Sequence, residues 1–164
     1  MQKITPFLWF DGRAGEAAQF YTSVFKNSKI ERISPMSATF RLEGIKFIAL
    51  NGGPMFKFTE AISFFVSCAT QREIDYFWEK LSAGGEKGRC GWLKDKFGVS
   101  WQIVPPILGE MLGDDDEQKS QRAMQAMLRM RKLDIAKLKK AFAGKIGGSK
   151  AAALRKTKPN RNKP

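Results

Sequence analysis

The stretch Trp92-Leu93-Lys94-Asp95-Lys96-Phe97-Gly98-Val99-Ser100-Trp101-Gln102-Ile103-Val104-Pro105 contains two short apolar runs, Trp92 to Asp95 and Val99 to Val104. A Phe97-Gly98 turn separates them and Pro105-Pro106 closes the second, so the pattern predicts two strands joined by a turn. Working back, Thr70 stands where a helix cap belongs. Ile74, Phe77, Trp78 and Leu81 then recur on one helical face, and Gly84-Gly85 stops the helix. Before it, Ala61 to Val66 reads as an apolar strand.

Sliding the chain by 56 positions pairs Leu8 with Phe64, Trp9 with Phe65, Phe10 with Val66, Phe20 with Tyr76, Tyr21 with Phe77 and Phe25 with Leu81. Apolar meets apolar in every pair, which points to an internal duplication. The first half supplies the same order. Ile4 to Phe10 is a strand, and Asp11 is the expected N-cap of a helix carrying Ala14, Ala17, Ala18, Tyr21 and Phe25, which Asn27 and Ser28 end. Strands follow over Lys29 to Ser34, Ser37 to Leu42 and Lys46 to Leu50, with Glu43-Gly44 as a turn. The expectation is an α+β fold of two βαβββ modules, residues 1–57 and 58–105, sharing one sheet system.

Beyond Pro106 the pattern becomes helical, and residues 106–144 form a helical extension packed on the domain. Asp114, Asp115 and Asp116 suit a helix N-terminus, and Asp134 caps a last short helix ended by Gly144. Met124, Met127, Leu128 and Arg131 continue one helical face with Met130 beside it, a packing or interface surface rather than a cofactor site.

The chain has 164 residues, 43% hydrophobic, enough for one buried core. Its 13 Phe and 4 Trp against 2 Tyr imply aromatic walls with few polar handles. No leader-like start or membrane-length apolar run is seen, so a cytoplasmic protein without membrane attachment is expected. Cys68 and Cys90 are too few for a disulfide scaffold and form no CxxC motif. The 29 Lys and Arg outnumber 16 Asp and Glu, a net +13, but seven of the basic residues fall in 145–164. Removing those seven leaves +6 for the body, which favours an anionic or neutral ligand. The tail holds no large aromatic and is expected to be disordered. It reads as a solvated extension, or as a source of weak, salt-sensitive nucleic-acid contact.

The opening Thr5-Pro6-Phe7-Leu8-Trp9-Phe10-Asp11-Gly12, with Phe47-Ile48-Ala49-Leu50-Asn51-Gly52-Gly53-Pro54, Ile62-Ser63-Phe64-Phe65-Val66 and the stretch quoted first, resembles the PhnB-like branch of the vicinal oxygen chelate superfamily. The resemblance runs from about residue 3 to residue 143. It implies a curved mixed sheet around a cavity, a homodimer, and a name that members of this branch often carry, 3-demethylubiquinone 3-methyltransferase. The residues do not support methyl transfer: no GxGxxG occurs, and Asn51-Gly52-Gly53-Pro54 ends in a proline that opens no such helix.

In metal-dependent relatives, His, Glu or Gln on inward strand faces hold a divalent ion that polarises substrate oxygens. This chain has no His. By resemblance the carboxylate position falls on Gln102, and the strand-start positions fall near Ile4 or Thr5 and near Ile62 or Ser63. A neutral amide binds a divalent ion much more weakly than a carboxylate and the other positions offer no strong ligand, so no metal and no cofactor are predicted. Without His, Ser or Cys catalysis through an imidazole base is excluded. Cys90 beside Arg89 is the one nucleophile candidate, against its reading as a structural thiol. Glu16, Glu43 and Asp95 are the carboxylates to consider for acid or base work, against readings as surface or capping groups. What remains is a cavity for a small aromatic or amphiphilic molecule, with Gln102 and Asn51 as hydrogen-bonding groups and Phe7, Trp9, Phe64, Trp92 and Trp101 as walls. An enzyme of the same superfamily with an unknown reaction is the alternative.

Overall fold

The computed structural model describes residues 2–144. The first module runs β1 (Phe7–Phe10), α1 (Ala14–Val24), β2 (Ser28–Ile33), β3 (Ser37–Leu42) and β4 (Ile45–Asn51). The second runs β5 (Ser63–Ser67), α2 (Gln71–Ser82), β6 (Glu86–Lys87), β7 (Trp92–Lys94) and β8 (Ser100–Val104). Three helices follow: α3 (Pro106–Leu112), α4 (Glu117–Leu128) and α5 (Ile135–Phe142).

The strands form two four-stranded mixed sheets, ordered β1-β4-β3-β2 and β5-β8-β7-β6. In each, the first strand of the module runs parallel to the last and the remaining pairs are antiparallel. The modules are therefore topological copies, as the 56-residue shift predicts. Neither sheet closes into a barrel. Glu43 and Gly44 take φ of 46° and 80°, the left-handed pair that a tight hairpin between β3 and β4 requires.

Alternation along each strand separates two faces. Leu8, Phe10, Ala38, Phe40, Leu42, Phe47 and Ala49 turn inward from the first sheet, and Val66, Leu93, Trp101 and Ile103 from the second. Helices α1 and α2 lie between the two inner faces, each packed on its own sheet. Tyr21 and Phe25 of α1 reach across to Trp101 of β8, with ring centroids 5.4 and 5.6 Å apart. Phe40 stacks on Phe47 at 5.4 Å and 11°, and Phe47 meets Phe64 edge-on at 5.2 Å. Both modules thus share one aromatic core. A second core of Val104, Leu108, Met111, Ala123, Leu133 and Leu138 holds the C-terminal helices, with Met127 and Met130 packed against it.

Helix ends show where local sequence was decisive. Thr70 and Glu73 form a reciprocal capping box at α2. Asp116 and Asp134 cap α4 and α5 through backbone N–H groups of Gln118, Lys119 and Lys137. The expectation that Asp11 caps α1 fails: the helix begins two residues later behind Arg13, whose side chain makes no cap. The Ala14 N–H instead donates to the Asn51 side-chain oxygen at 2.7 Å, so the cap comes from the end of β4. The expectations for the basic tail fall on residues 145–164, outside those described.

Candidate functional site

Helices α1 and α2 cover the inner faces, and on the opposite face of the second sheet the C-terminal helices bury Val104 while Gln102 stays half-buried and Phe65 exposed. On the second sheet, the strand register sets Phe65, Gln102 and Trp92 side by side in one row. The next row along holds Ser63, Ser100, Lys94 and Glu86. The Gln102 side-chain N–H donates to the Ser63 hydroxyl at 2.9 Å, which fixes the amide and leaves its carbonyl oxygen as an acceptor. Lys94 pairs with Glu60 at 2.5 Å, and this pairing raises the Lys94 pKa. A cavity of about 120 Å³ lies over Ser100, lined also by Glu60, Glu86, Trp92 and Lys94.

On the first sheet the corresponding open row is Phe7, Ile48 and Thr39, followed by Trp9, Leu50 and Ser37. Phe7 and Phe65, each on the edge strand of its sheet, are 57% and 59% exposed, a large apolar surface to leave in water. Trp9 is held by its indole N–H donating to the Gly53 carbonyl at 2.8 Å and by Phe56 packed edge-on at 5.0 Å. A Cβ on Gly52 would sit 2.2 Å from the Trp9 ring, so glycine there is a packing requirement.

Of the residues named from sequence, Gln102 and Trp92 come together on the open face of the second sheet, while Phe7 and Trp9 share that of the first. Trp101 and Phe64 do not join them. Both turn to the inner face, and Trp101 is 3% exposed, because strand alternation sends neighbours of Gln102 and Phe65 the other way. Asn51 is occupied as a strut, accepting from Ala14 and donating to the Pro35 carbonyl at 2.8 Å.

Asp95 lies neither at the surface nor at a helix cap. It is 3% exposed and accepts four hydrogen bonds. One oxygen takes the N–H groups of Phe97 and Val99, at 2.8 and 3.1 Å. The other takes the Tyr21 hydroxyl at 2.7 Å and the Trp101 indole N–H at 2.8 Å. Burial raises its pKa, against the pull of those four donors. Glu16 is engaged by Arg13 and Lys96, both at 2.9 Å, and these partners lower its pKa to about 2. Glu43 occupies the hairpin turn. None of the three reaches the Gln102 row. Cys68 is buried and its thiol is pushed up to about 12 by desolvation. Cys90 is half-buried, its N–H donating to the Met130 carbonyl at 2.9 Å.

The groups a fold of this kind would use for a divalent ion do not fit one. The expected positions hold the neutral amide of Gln102, the hydroxyls of Thr5 and Ser63 and the aliphatic Ile4 and Ile62, with no imidazole or carboxylate among them. Among the described residues no three His, Cys, Asp or Glu side chains gather. A nucleoside methyl donor fits no better. The glycines of Asn51-Gly52-Gly53-Pro54 clamp Trp9, with the Gly52 N–H given to the Phe10 carbonyl and the Gly53 carbonyl to the indole. The next element after them is strand β5, not a helix that would cradle phosphate or ribose. No described helix is long and apolar enough to cross a membrane.

Comparison with known proteins gives one family model, described as 3-demethylubiquinone-9 3-methyltransferase, matching residues 2–104. A PhnB protein from Bacillus cereus bearing the same methyltransferase name is 40% identical, with a TM-score of 0.60 over 63% of this chain and 99% of that one. A protein from Pseudomonas aeruginosa, 20% identical, shares the fold with a TM-score of 0.56 over 64% of this chain and 98% of its own. No curated protein matches the chain. With the family model spanning both modules, the chain belongs to the PhnB-like, 3-demethylubiquinone-9 3-methyltransferase-labelled branch of the vicinal oxygen chelate superfamily.

Proposed function

We propose that the chain binds a small aromatic or amphiphilic molecule, without a metal, on the open face of its second sheet, and that a second copy of the chain covers the site. The observation that carries this reading is the row Phe65, Gln102 and Trp92: two flat apolar walls flank one oriented amide. Such a row supplies contact area from the rings and orientation from one fixed hydrogen-bonding group. The exposed Phe7 and Phe65, on the open faces of the two sheets, support an apolar partner surface, since covering the exposed part of each ring is worth roughly 1 kcal/mol or more. Catalysis draws less support, because Asp95, Glu16 and Glu43 are each engaged away from the row.

Native mass spectrometry of freshly purified protein tests the proposal in one measurement. A dimer free of transition metal and retaining a small organic mass is the expected result. An empty monomer would remove both the site and its second copy, and stoichiometric metal would overturn the metal-free reading.

A further inference from the structure

The cavity beside Trp92 holds a feature that the aromatic row leaves unexplained. Ser100 is 1% exposed, and its hydroxyl has no hydrogen-bond partner among the described residues. A buried hydroxyl left unpaired is costly, and its place in the cavity wall makes it a waiting acceptor or donor.

The charges around it select what it waits for. Lys87 also lines the cavity, but its ammonium is held by Glu79 at 2.8 Å. Lys94 is neutralised by Glu60. Glu86 stands opposite Lys94 in the strand pair and makes no ion pair among the described residues. Among the charged residues lining the cavity, the one without an ion-pair partner is thus the Glu86 carboxylate, in a lining that also includes Trp92 and Ser100. An anion would meet Glu86, and both lysines lining the cavity are already paired. A neutral alcohol would satisfy Ser100 and leave Glu86 unanswered. A protonated primary amine has three N–H donors and a positive charge, and so serves the carboxylate, the hydroxyl and the ring together.

We infer that this cavity receives a protonated amine and that the ligand is an amphiphilic organic cation, its apolar part lying along Trp92, Gln102 and Phe65. The inference rests on the binding proposal above and narrows it to one ligand class. At about 120 Å³ the cavity suits a head group of a few heavy atoms and not a whole aromatic ligand, which places the ring outside it on the row. The +6 body charge, which favours an anionic or neutral ligand, is a sum over the whole surface. The local sign here is opposite.

The test uses the full chain and three probes of one shape, 2-phenylethylamine, 2-phenylethanol and 3-phenylpropionate, titrated calorimetrically at pH 7.5 in moderate salt. The amine should bind at least tenfold tighter than the alcohol or the carboxylate. Glu86→Gln should remove most of that advantage while leaving the alcohol unchanged, and Ser100→Ala should weaken the amine severalfold. If the alcohol or carboxylate binds as tightly as the amine, the amine assignment fails and the aromatic site stands. Amine preference untouched by Glu86→Gln refutes the placement in this cavity. Failure of all three probes at millimolar concentration overturns the inference and the binding proposal together.

Discussion

Replacing Asp95 by asparagine changes one oxygen to an amide nitrogen inside the core. The oxygen facing Phe97 and Val99 can be kept, so both backbone bonds survive. The amide nitrogen then faces the Tyr21 hydroxyl and the Trp101 indole N–H. Tyrosine can rotate its proton away and accept, but an indole is a donor only. Two donors meet, and the Trp101 N–H is left buried and unpaired, a loss of about 1–3 kcal/mol. The surviving bonds also lose the strength that a charged acceptor gives them. Relief of the carboxylate's desolvation offsets part of this, and the net expectation is about 2 kcal/mol of destabilisation. Urea unfolding at pH 7.5, followed by tryptophan fluorescence, measures it. A double-mutant cycle with Trp101→Phe isolates the mechanism, since removing the donor should recover about 1 kcal/mol of the penalty. A loss below about 0.5 kcal/mol, or a cycle with no coupling, would falsify the claim that this carboxylate is the acceptor joining the modules.

The pH dependence follows from the same group. Its folded pKa is raised above the unfolded value, so the folded state binds more protons between the two and gains stability as pH falls through that window. The Asp95→Asn penalty should therefore be larger at pH 4.5 than at pH 7.5 in matched thermal melts, and a smaller penalty at low pH counts against the assignment. Glu16 has the opposite sign: its contribution is present above the unfolded value of 4.5 and is lost as pH falls toward about 2. Being solvent-exposed, it should make little difference to melts above pH 5 when changed to Gln. Thr70→Ala removes half of a capping box and should cost about 1 kcal/mol by urea unfolding, with Thr70→Ser recovering most of it. Dialysis against EDTA should leave the melting temperature unchanged, as the donor set at Gln102 predicts; a fall that added divalent ion reverses would contradict it.

The duplication was legible because each module repeats the same apolar spacing, and the helix caps at Thr70 and Asp134 were legible because their partners lie three residues away. Strand β6 escaped notice because Glu86-Lys87 has no apolar signal, being paired on one side only through β7. Asp11 was misassigned as a cap since the true acceptor, the Asn51 side-chain oxygen, lies 37 residues from Ala14. Of the residues expected to line a cavity, Gln102 and Trp92 fall on one open face, whereas strand alternation turns Trp101 and Phe64 inward. Asp95 carried a partial signal, two residues before Phe97 and three before Gly98. Its Tyr21 partner, 74 residues away, could not be inferred from spacing.

Gln102 stands between Trp101 and Ile103, two residues committed to the shared core, while its own side chain contributes nothing to that core. Strands such as β3, β4 and β8 thus carry two interleaved sets of residues, one that packs the core and one that faces away from it. A substitution at Gln102, Phe65 or Trp92 changes the face turned away from the core and leaves the packing of Trp101 and Ile103 in place. A chain can in this way exchange an entire coordination chemistry for another kind of contact, one alternate position at a time, and remain folded at every step.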